Sequence, residues 1–207
     1  MVKRPSTGKP SAPPPFGLAL IFTGHMVDLP DRPVPRFPPK LESVTADVIR
    51  LRVGALSEAH SGSLVGISSG ARGGDILFLE TCHDLGLDTR LVLPEPPEAF
   101  IANSVAGVPS SDWADRFEAL WRGHAENERL VVAPPKGANP YEAANAAELE
   151  LARALGSELR LLAFWDRSKG DGPGGTESFV RLVESSGGGV DVIDAAELLA
   201  RFEAAGF

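Results

Sequence analysis

Short runs of apolar residues alternate along this chain with longer segments of helical periodicity, and this alternation limits the folds available to it. The apolar runs contain few polar residues, as in LALIF at residues 18–22, so both faces of each strand would be buried. Such strands, separated by helices of about ten or more residues, are typical of a parallel sheet covered by helices. The sequence therefore predicts an α/β fold, a Rossmann-like doubly wound parallel sheet of about six strands with helices on both faces.

The predicted elements can be given by residue number. The strands are predicted at 18–22, 64–67, 89–93, 130–133, 159–165 and 190–193. The helices are predicted at 41–59, 75–85, 112–124, 141–155, 176–184 and 195–205. Residues 1–15 are rich in proline and have no apolar periodicity, so we predict a disordered tail, followed by a single domain over residues 16–207.

Charge and cysteine content limit the partners. The chain has 20 Lys and Arg against 28 Asp and Glu, a formal charge of −8, which argues against a nucleic acid partner. No apolar run approaches the roughly 20 residues of a membrane span, so we expect no membrane partner. Cys82 is the only cysteine, which excludes an internal disulfide and fits a reducing cytoplasm. No zinc-type spacing is present, and we predict neither a metal nor a resident cofactor.

A first glycine-rich segment, residues 68–75, lies between the second predicted strand and the next helix. Its glycines would let the backbone approach a ligand, the amides of the first helical turn would attract an anion, and Arg72 would add donors suited to a phosphate. The candidate ligand-binding residues here are Ser69, Gly70, Arg72, Gly73, Gly74 and Asp75. The alternative is a tight turn capped by Asp75, with Arg72 in solvent.

A second glycine-rich segment, residues 165–177, follows the fifth predicted strand. Gly174, Gly175 and Thr176 directly precede a helix and could hold a second anionic or ribosyl group, with Asp166 nearby. Ligands of doubly wound sheets bind beyond the carboxyl ends of the strands, so the two glycine-rich loops are expected to face each other where strand order reverses. The alternative is a flexible surface loop.

The loop after the first predicted strand would close a third side of the site. Thr23 and Gly24 stand at the strand end, and His25 is either a ligand contact or an exposed loop histidine. Residues 30–39 then contain five prolines together with two arginines, which suggests a lid that loses little entropy on closing over a ligand. Tyr141 and Asn145, one helical turn apart, could either face the site or lie at the surface.

Two of these segments resemble known families. Residues 69–75, Ser-Gly-Ala-Arg-Gly-Gly-Asp, resemble the Gly-x-Ala-Arg-Gly-x-Asp segment of the DNA-processing A (Smf) proteins. Residues 172–176, Gly-Pro-Gly-Gly-Thr, resemble the Pro-Gly-Gly-x-Gly-Thr loop of the Lonely Guy phosphoribohydrolases. Both groups belong to the SLOG superfamily. The resemblance, over about residues 16–193, implies a Rossmann-like domain that binds a nucleotide or a nucleotide-derived small molecule, in some relatives as a sensor in signalling or defence.

The chain also departs from both patterns. The Smf pattern places a histidine four residues after its aspartate, where this chain has Leu79, and the Lonely Guy pattern places its catalytic glutamate where this chain has Phe179. The resemblance thus supports ligand binding more directly than catalysis. The alternative function is an N-glycosidic or phosphoribosyl hydrolase, for which Glu177 and Asp166 are the candidate catalytic carboxylates.

Two questions about partners stay open at the level of sequence. DNA binding of the Smf kind would need a basic stripe, whereas the basic residues here are scattered. Pairing of two copies into a homo-oligomer is suggested by related proteins and by three apolar side chains of the last predicted helix, Leu198, Leu199 and Phe202.

Overall fold

The fold is built on one sheet of six parallel strands, which confirms the predicted fold class. The computed structural model of the protein describes residues 13–169 and 172–206, so most of the predicted tail lies outside the described residues. The strands are β1 (Phe16–Gly24), β2 (Leu64–Ser68), β3 (Asp88–Leu93), β4 (Arg129–Val131), β5 (Gly156–Trp165) and β6 (Gly189–Asp194). Their order across the sheet is β4-β3-β2-β1-β5-β6.

Helices connect the strands in the predicted places. They are α1 (Glu42–Ala59), α2 (Gly74–Asp84), α3 (Pro97–Phe100), α4 (Trp113–Gly123), α5 (Pro140–Leu155), α6 (Thr176–Ser185) and α7 (Ala195–Ala204). Short α3 and the π-helical turn that follows it, Ile101–Val105, were not predicted, because prolines at residues 94, 96 and 97 end the recognisable pattern. The other differences are small: β5 begins three residues earlier than predicted, and β4 ends two residues earlier.

Strand β1 is buried on both faces, as its apolar sequence predicts. Leu18, Leu20 and Phe22 pack in one hydrophobic cluster with residues of α1 and α2, whereas Ala19 and Ile21 pack in a second cluster with α5 and α6. The alternation follows from the two-residue period of a strand. Helices therefore cover both faces, and β1 lies at the centre of the molecule.

Strand order reverses next to β1. The chain runs outward from β1 to β2, β3 and β4, and then returns along α5 to place β5 on the other side of β1. Connections that leave in opposite directions open a crevice at the carboxyl ends of the strands. The structure thus places its main crevice between the loops after β1 and β5.

The C-terminal helix bears on self-association. Leu198, Leu199 and Phe202 are partly buried against the hydrophobic core of the same chain, and Lys40 Nζ lies 5.7 Å from the centre of the Phe202 ring. The apolar side chains that suggested pairing therefore have contacts within one copy. Homo-oligomer formation stays a prediction.

Helix α5 passes directly into β5 at Gly156, and this junction supplies a test of the packing. A Cβ atom at Gly156 would lie 2.6 Å from the Cβ of Ala19, on a central strand that cannot move away. We expect Gly156→Ala to lower the free energy of unfolding by about 1–3 kcal/mol, measured by urea denaturation.

The matched control is Gly54→Ala within α1, where an added Cβ would meet no atom within 4 Å. This substitution should stabilise the protein by about 0.5–1 kcal/mol, because alanine is the better helix former. Equal effects at the two positions would contradict the close contact at Gly156.

Candidate functional site

A cleft of about 770 Å³ opens at the carboxyl ends of the central strands. Loops after β1, β2 and β3, helix α5 and the second glycine-rich loop line it. Of the residues predicted to bind ligand, those that line the cleft are Thr23, Gly24, His25, Ser69, Arg72, Asp75, Gly174, Gly175 and Thr176. The two glycine-rich loops therefore meet at one site, as expected, although four predicted residues, Gly70, Gly73, Gly74 and Asp166, are not on its wall.

One wall of the cleft is the proline-rich segment at residues 28–37, here called the strap. Its ends are joined because the Asp28 amide donates to the Phe37 carbonyl (2.8 Å), and Asp28 Oδ2 accepts from the amides of Arg36 (2.8 Å) and Phe37 (2.9 Å). The Phe37 ring is fully buried and packs edge-on against Phe164 at 4.9 Å. The strap is thus anchored at both ends and presents residues between them to the cleft.

The first glycine-rich loop is a tight turn held by the protein's own acceptors. Three backbone amides donate hydrogen bonds within the protein: Ala71 N to Asp75 Oδ2 (3.3 Å), Arg72 N to Ser104 O (3.0 Å) and Gly74 N to His25 O (3.3 Å). Ser69 Oγ also donates to Asp75 Oδ2, at 2.7 Å. The amides of Ala71, Arg72 and Gly74 are therefore engaged within the protein, and the loop forms the turn held by Asp75. Ligand binding by this segment stays a prediction.

Arg72 differs from both sequence interpretations. Its side chain is buried, with 6% exposed, and its guanidinium donates to the carbonyls of Val27 (3.1 Å, from Nε) and Ala106 (3.2 Å, from Nη1). Burial lowers the pKa of Arg72, and the charge of Asp28 acts in the opposite direction. No carboxylate among the described residues lies within 4 Å of this guanidinium, so a buried positive charge borders the cleft without a contacting counter-ion.

His25 is a buried link between β1 and β5, not an exposed loop residue. Its amide donates to the Phe164 carbonyl (3.0 Å), and its Nε2 accepts from the Asp166 amide (3.1 Å). The same Nε2 lies 3.2 Å from Asp166 Oδ1, which also accepts from Ser168 Oγ and Ser168 N. Burial raises the pKa of Asp166, but these hydrogen bonds and His25 outweigh it, and the net change is downward.

The two candidate catalytic carboxylates are outside the cleft. Asp166 is engaged with His25 and Ser168, and Glu177 forms an ion pair with Arg181 one turn along α6. Neither lines the cleft wall. The carboxylates that do line the wall are Asp28, Asp31, Asp75 and Glu148. Catalytic roles for Glu177 and Asp166 stay predictions.

The second glycine-rich loop brings the start of α6 to the cleft. Gly175 is the N-cap residue and no side chain caps the helix, and no described residue accepts a hydrogen bond from the Thr176 amide. Thr176 Oγ1 lies 3.5 Å from Thr23 Oγ1 across the strand-order reversal. Gly174 has φ of +88° and packs so closely on α5 that a Cβ would lie 2.5 Å from that of Tyr141. Gly170 and Asp171 are outside the described residues.

Helix α5 forms the wall opposite the strap. Tyr141, Ala144, Asn145 and Glu148 share one face of the helix, as their spacing of three and four residues requires, and all line the cleft. Asn145 Nδ2 donates to the Gly174 carbonyl (3.1 Å), so α5 also holds the glycine-rich loop in place. Of the two roles left open for Tyr141 and Asn145, the structure favours the cleft-facing one.

Glu148 was missed by the sequence analysis. It is 3% exposed, and no described residue donates a hydrogen bond to its Oε2. The pattern that could have found it is the spacing of Tyr141, Asn145 and Glu148 along one face of a helix that is otherwise apolar on that side. A lone acidic residue in such a position does not reveal whether it is buried.

Glu148 on α5 and Asp75 at the start of α2 place two buried carboxyl groups on the cleft wall. Burial raises the pKa of Asp75 to about 6, although hydrogen bonds from Ser69 and from the Ala71 amide oppose the increase. Burial also raises the pKa of Glu148 well above its ordinary value, and the charge of Asp75 raises it further. Burial therefore favours the protonated form of both carboxyl groups relative to an ordinary, solvent-exposed carboxyl group.

Comparisons with known proteins do not assign this chain to a family. A scan against protein-family models and a search of curated proteins both find no match for this chain. The SLOG resemblance therefore rests on the motifs at residues 69–75 and 172–176 and stays a prediction. Within the described ranges, no group of three His, Cys, Asp or Glu side chains could hold a metal ion, and no helix has the length and apolar character to cross a membrane.

The buried acid pair predicts an unusual dependence of stability on pH. Because the folded-state pKa values of Asp75 and Glu148 lie above the ordinary range near 4, the folded protein binds more protons than the unfolded chain. The stabilisation from both groups is complete below about pH 4; that of Asp75 is lost as the pH rises through about 6, and that of Glu148 as the pH rises through its own raised pKa. We expect Glu148→Gln to gain stability relative to the natural protein as the pH is raised from 5 to 7.5, measured by urea denaturation.

The control is Glu150→Gln, an exposed position on the same helix. It should leave the difference from the natural protein constant over this pH range. A constant difference for Glu148→Gln as well would show that Glu148 is not held protonated by the fold.

Proposed function

We propose that the protein binds a nucleotide or a nucleotide-derived small ligand in the cleft between the strap and α5. The position supports this function, because doubly wound sheets bind such ligands where strand order reverses. The volume of about 770 Å³ is within the range of about 300–1,000 Å³ that is usual for small-molecule pockets. The motif resemblance to SLOG proteins points to the same ligand class.

The observation that carries the proposal is the buried charge of Arg72. A desolvated guanidinium without a contacting carboxylate is costly, and a bound anion would compensate it. Arg32 and Arg36 of the strap line the same side of the cleft, although Arg32 also lies 3.2 Å from Asp28 Oδ1. Asp28 and Asp31 line this side too, so the three arginines leave an excess of positive charge there, in a chain of net charge −8, and this excess favours a phosphate on the strap side.

Two further features fit the rest of a nucleotide. The uncapped start of α6 supplies an amide at Thr176 and a favourable helix dipole, so a second anionic group has donors across the cleft. Four large apolar side chains at the rim are each at least 37% exposed and could cover a planar base: Met26, Leu29, Val34 and Tyr141. Apolar walls with a few polar groups are typical of sites for such ligands.

The test is a binding screen with charge-removing variants. Mononucleotides, ADP-ribose and cyclic dinucleotides are screened by thermal shift, and positive compounds are measured by calorimetry. We expect Arg72→Gln to weaken binding at least about ten-fold, because a charge-assisted contact contributes about 1.5–3 kcal/mol. Arg36→Gln should weaken it in the same direction, and it provides a second measurement if Arg72→Gln does not fold.

The matched control is Arg52→Gln, an exposed arginine of α1 that is remote from the cleft. It makes the same change in net charge and should leave the dissociation constant unchanged. The proposal fails if no compound in the screen binds, or if all three variants bind equally well.

A second candidate function, hydrolysis of an N-glycosidic bond, is favoured by the acid pair at Asp75 and Glu148. Such a reaction needs a proton for the leaving base and a carboxylate that assists attack by water, and two neighbouring carboxyl groups with raised pKa values are candidates for these roles. If the protein has this activity, it should release free base from nucleoside monophosphates or NAD, as detected by chromatography. The Glu148→Gln variant should not release the base. Binding without turnover at micromolar enzyme would leave ligand binding as the function.

A further inference from the structure

Glu148 Oε2 is a buried acceptor for which the described part of the chain supplies no donor. Buried polar atoms in native proteins nearly always have a hydrogen-bond partner, so an exception needs an explanation. Here the carboxyl group lies on the wall of the cleft, with the side chain 3% exposed. A bound ligand is the partner that this position can receive.

Asp75 does not compete for that role. Its Oδ2 already accepts from Ser69 Oγ at 2.7 Å and from the Ala71 amide at 3.3 Å, and these contacts hold the turn after β2. Of these two buried carboxyl groups, Glu148 is therefore the one with an oxygen that accepts no hydrogen bond from the described residues. Its neighbour instead determines the charge of the surroundings, which is negative.

Positive and negative charges are distributed unequally along the cleft wall. On the strap side three arginines, Arg32, Arg36 and Arg72, outnumber the two aspartates of the strap, Asp28 and Asp31. By contrast, no basic side chain of the described residues lies within 4 Å of Asp75 or Glu148. A phosphate beside Glu148 would be repelled by Asp75, so the phosphate of a bound nucleotide belongs on the strap side. An uncharged part of the ligand must then face Glu148.

A neutral carboxyl group both donates and accepts a hydrogen bond, as a hydroxyl group does. The cleft wall carries five further hydroxyl groups, those of Thr23, Ser69, Ser104, Tyr141 and Thr176. Each has at least one partner within the protein, and because a hydroxyl oxygen has two acceptor lone pairs, each keeps the capacity to accept a hydrogen bond from a ligand hydroxyl. A sugar ring with adjacent hydroxyls matches this lining better than a base edge, for which the exposed apolar rim is available.

We propose that Glu148 hydrogen-bonds the 2′,3′-diol of a ribose and makes the cleft selective for ribose over deoxyribose ligands. The inference rests on the proposed nucleotide-binding function and extends it to the orientation of the ligand. Phosphate lies towards the strap, the ribose towards α5 and the base at the apolar rim. Glu148 is in this arrangement a specificity-determining residue for the bound sugar.

The experiment compares sugars in three forms of the full-length protein. Calorimetry measures the dissociation constants of the four ribonucleoside 5′-monophosphates and of their 2′-deoxy and 3′-deoxy counterparts. The natural protein should prefer the ribose form by about ten-fold or more, since loss of a ligand hydroxyl leaves the buried carboxyl unpaired. Glu148→Leu should remove the preference, whereas Glu148→Gln, whose amide both donates and accepts, should retain most of it.

Thermal unfolding separates this role from a purely structural one. Without ligand, Glu148→Leu should have a higher melting temperature than the natural protein, because it replaces an unpaired buried carboxyl with an apolar side chain of similar size. Glu150→Leu, at an exposed position of α5, is the control and should leave the sugar preference unchanged.

The outcomes that overturn the inference are distinct from failure of the proposed function. Equal affinity for ribose and deoxyribose ligands in the natural protein, or a preference that persists in Glu148→Leu, overturns the role of Glu148 while nucleotide binding stands. Absence of binding by every nucleotide tested, in a protein that unfolds cooperatively, overturns the nucleotide proposal and this inference with it.

Discussion

Strand β1 pairs with β2 on one side and β5 on the other, and the cleft depends on this double pairing. Because both faces of β1 are buried, the connections to its neighbours must cover opposite faces of the sheet, with α1 and α2 on one side and α5 and α6 on the other. The loops that leave β1 and β5 therefore diverge. His25 connects the starts of these two loops, because its amide donates to the Phe164 carbonyl and its ring accepts from the Asp166 amide. The base of the crevice is thereby held in place.

Because the loops diverge, the arginines of the strap and Glu148 of α5 come to the cleft from opposite faces of the sheet. The strap belongs to the face of α1 and α2, since Phe37 is buried in that cluster, and it brings arginines to the cleft. Helix α5 belongs to the other face and brings Glu148, opposite Asp75 at the start of α2. In a low-dielectric crevice such charges are weakly screened, so a ligand that carries charge at one end is oriented by the walls. The topology thus determines the direction in which a nucleotide would lie.

The sequence predicted the sheet and the location of the cleft because these depend on local patterns. Apolar runs and helical periodicity identified all six strands, and glycines before a helix identified the loops that meet at the cleft. The partners of individual groups could not be predicted in this way. The amides of Arg72 and Gly74 are engaged by Ser104 and His25, which are distant in sequence. The buried guanidinium of Arg72 likewise donates to the carbonyls of Val27 and Ala106, which no local pattern reveals. Glu148 became a candidate only when its burial was known.

Glu148 and Arg72 present the same physical problem on opposite sides of the cleft. Each is a buried ionisable group without the oppositely charged partner that burial normally requires. A fold selected for stability alone would replace both with apolar residues of similar size, since a buried charge is rarely better than good packing. The ligand that we propose would provide complementary groups for both on one molecule, an anion for Arg72 and a hydroxyl-bearing part for Glu148. A ribonucleotide carries both, and its binding would satisfy the two groups together.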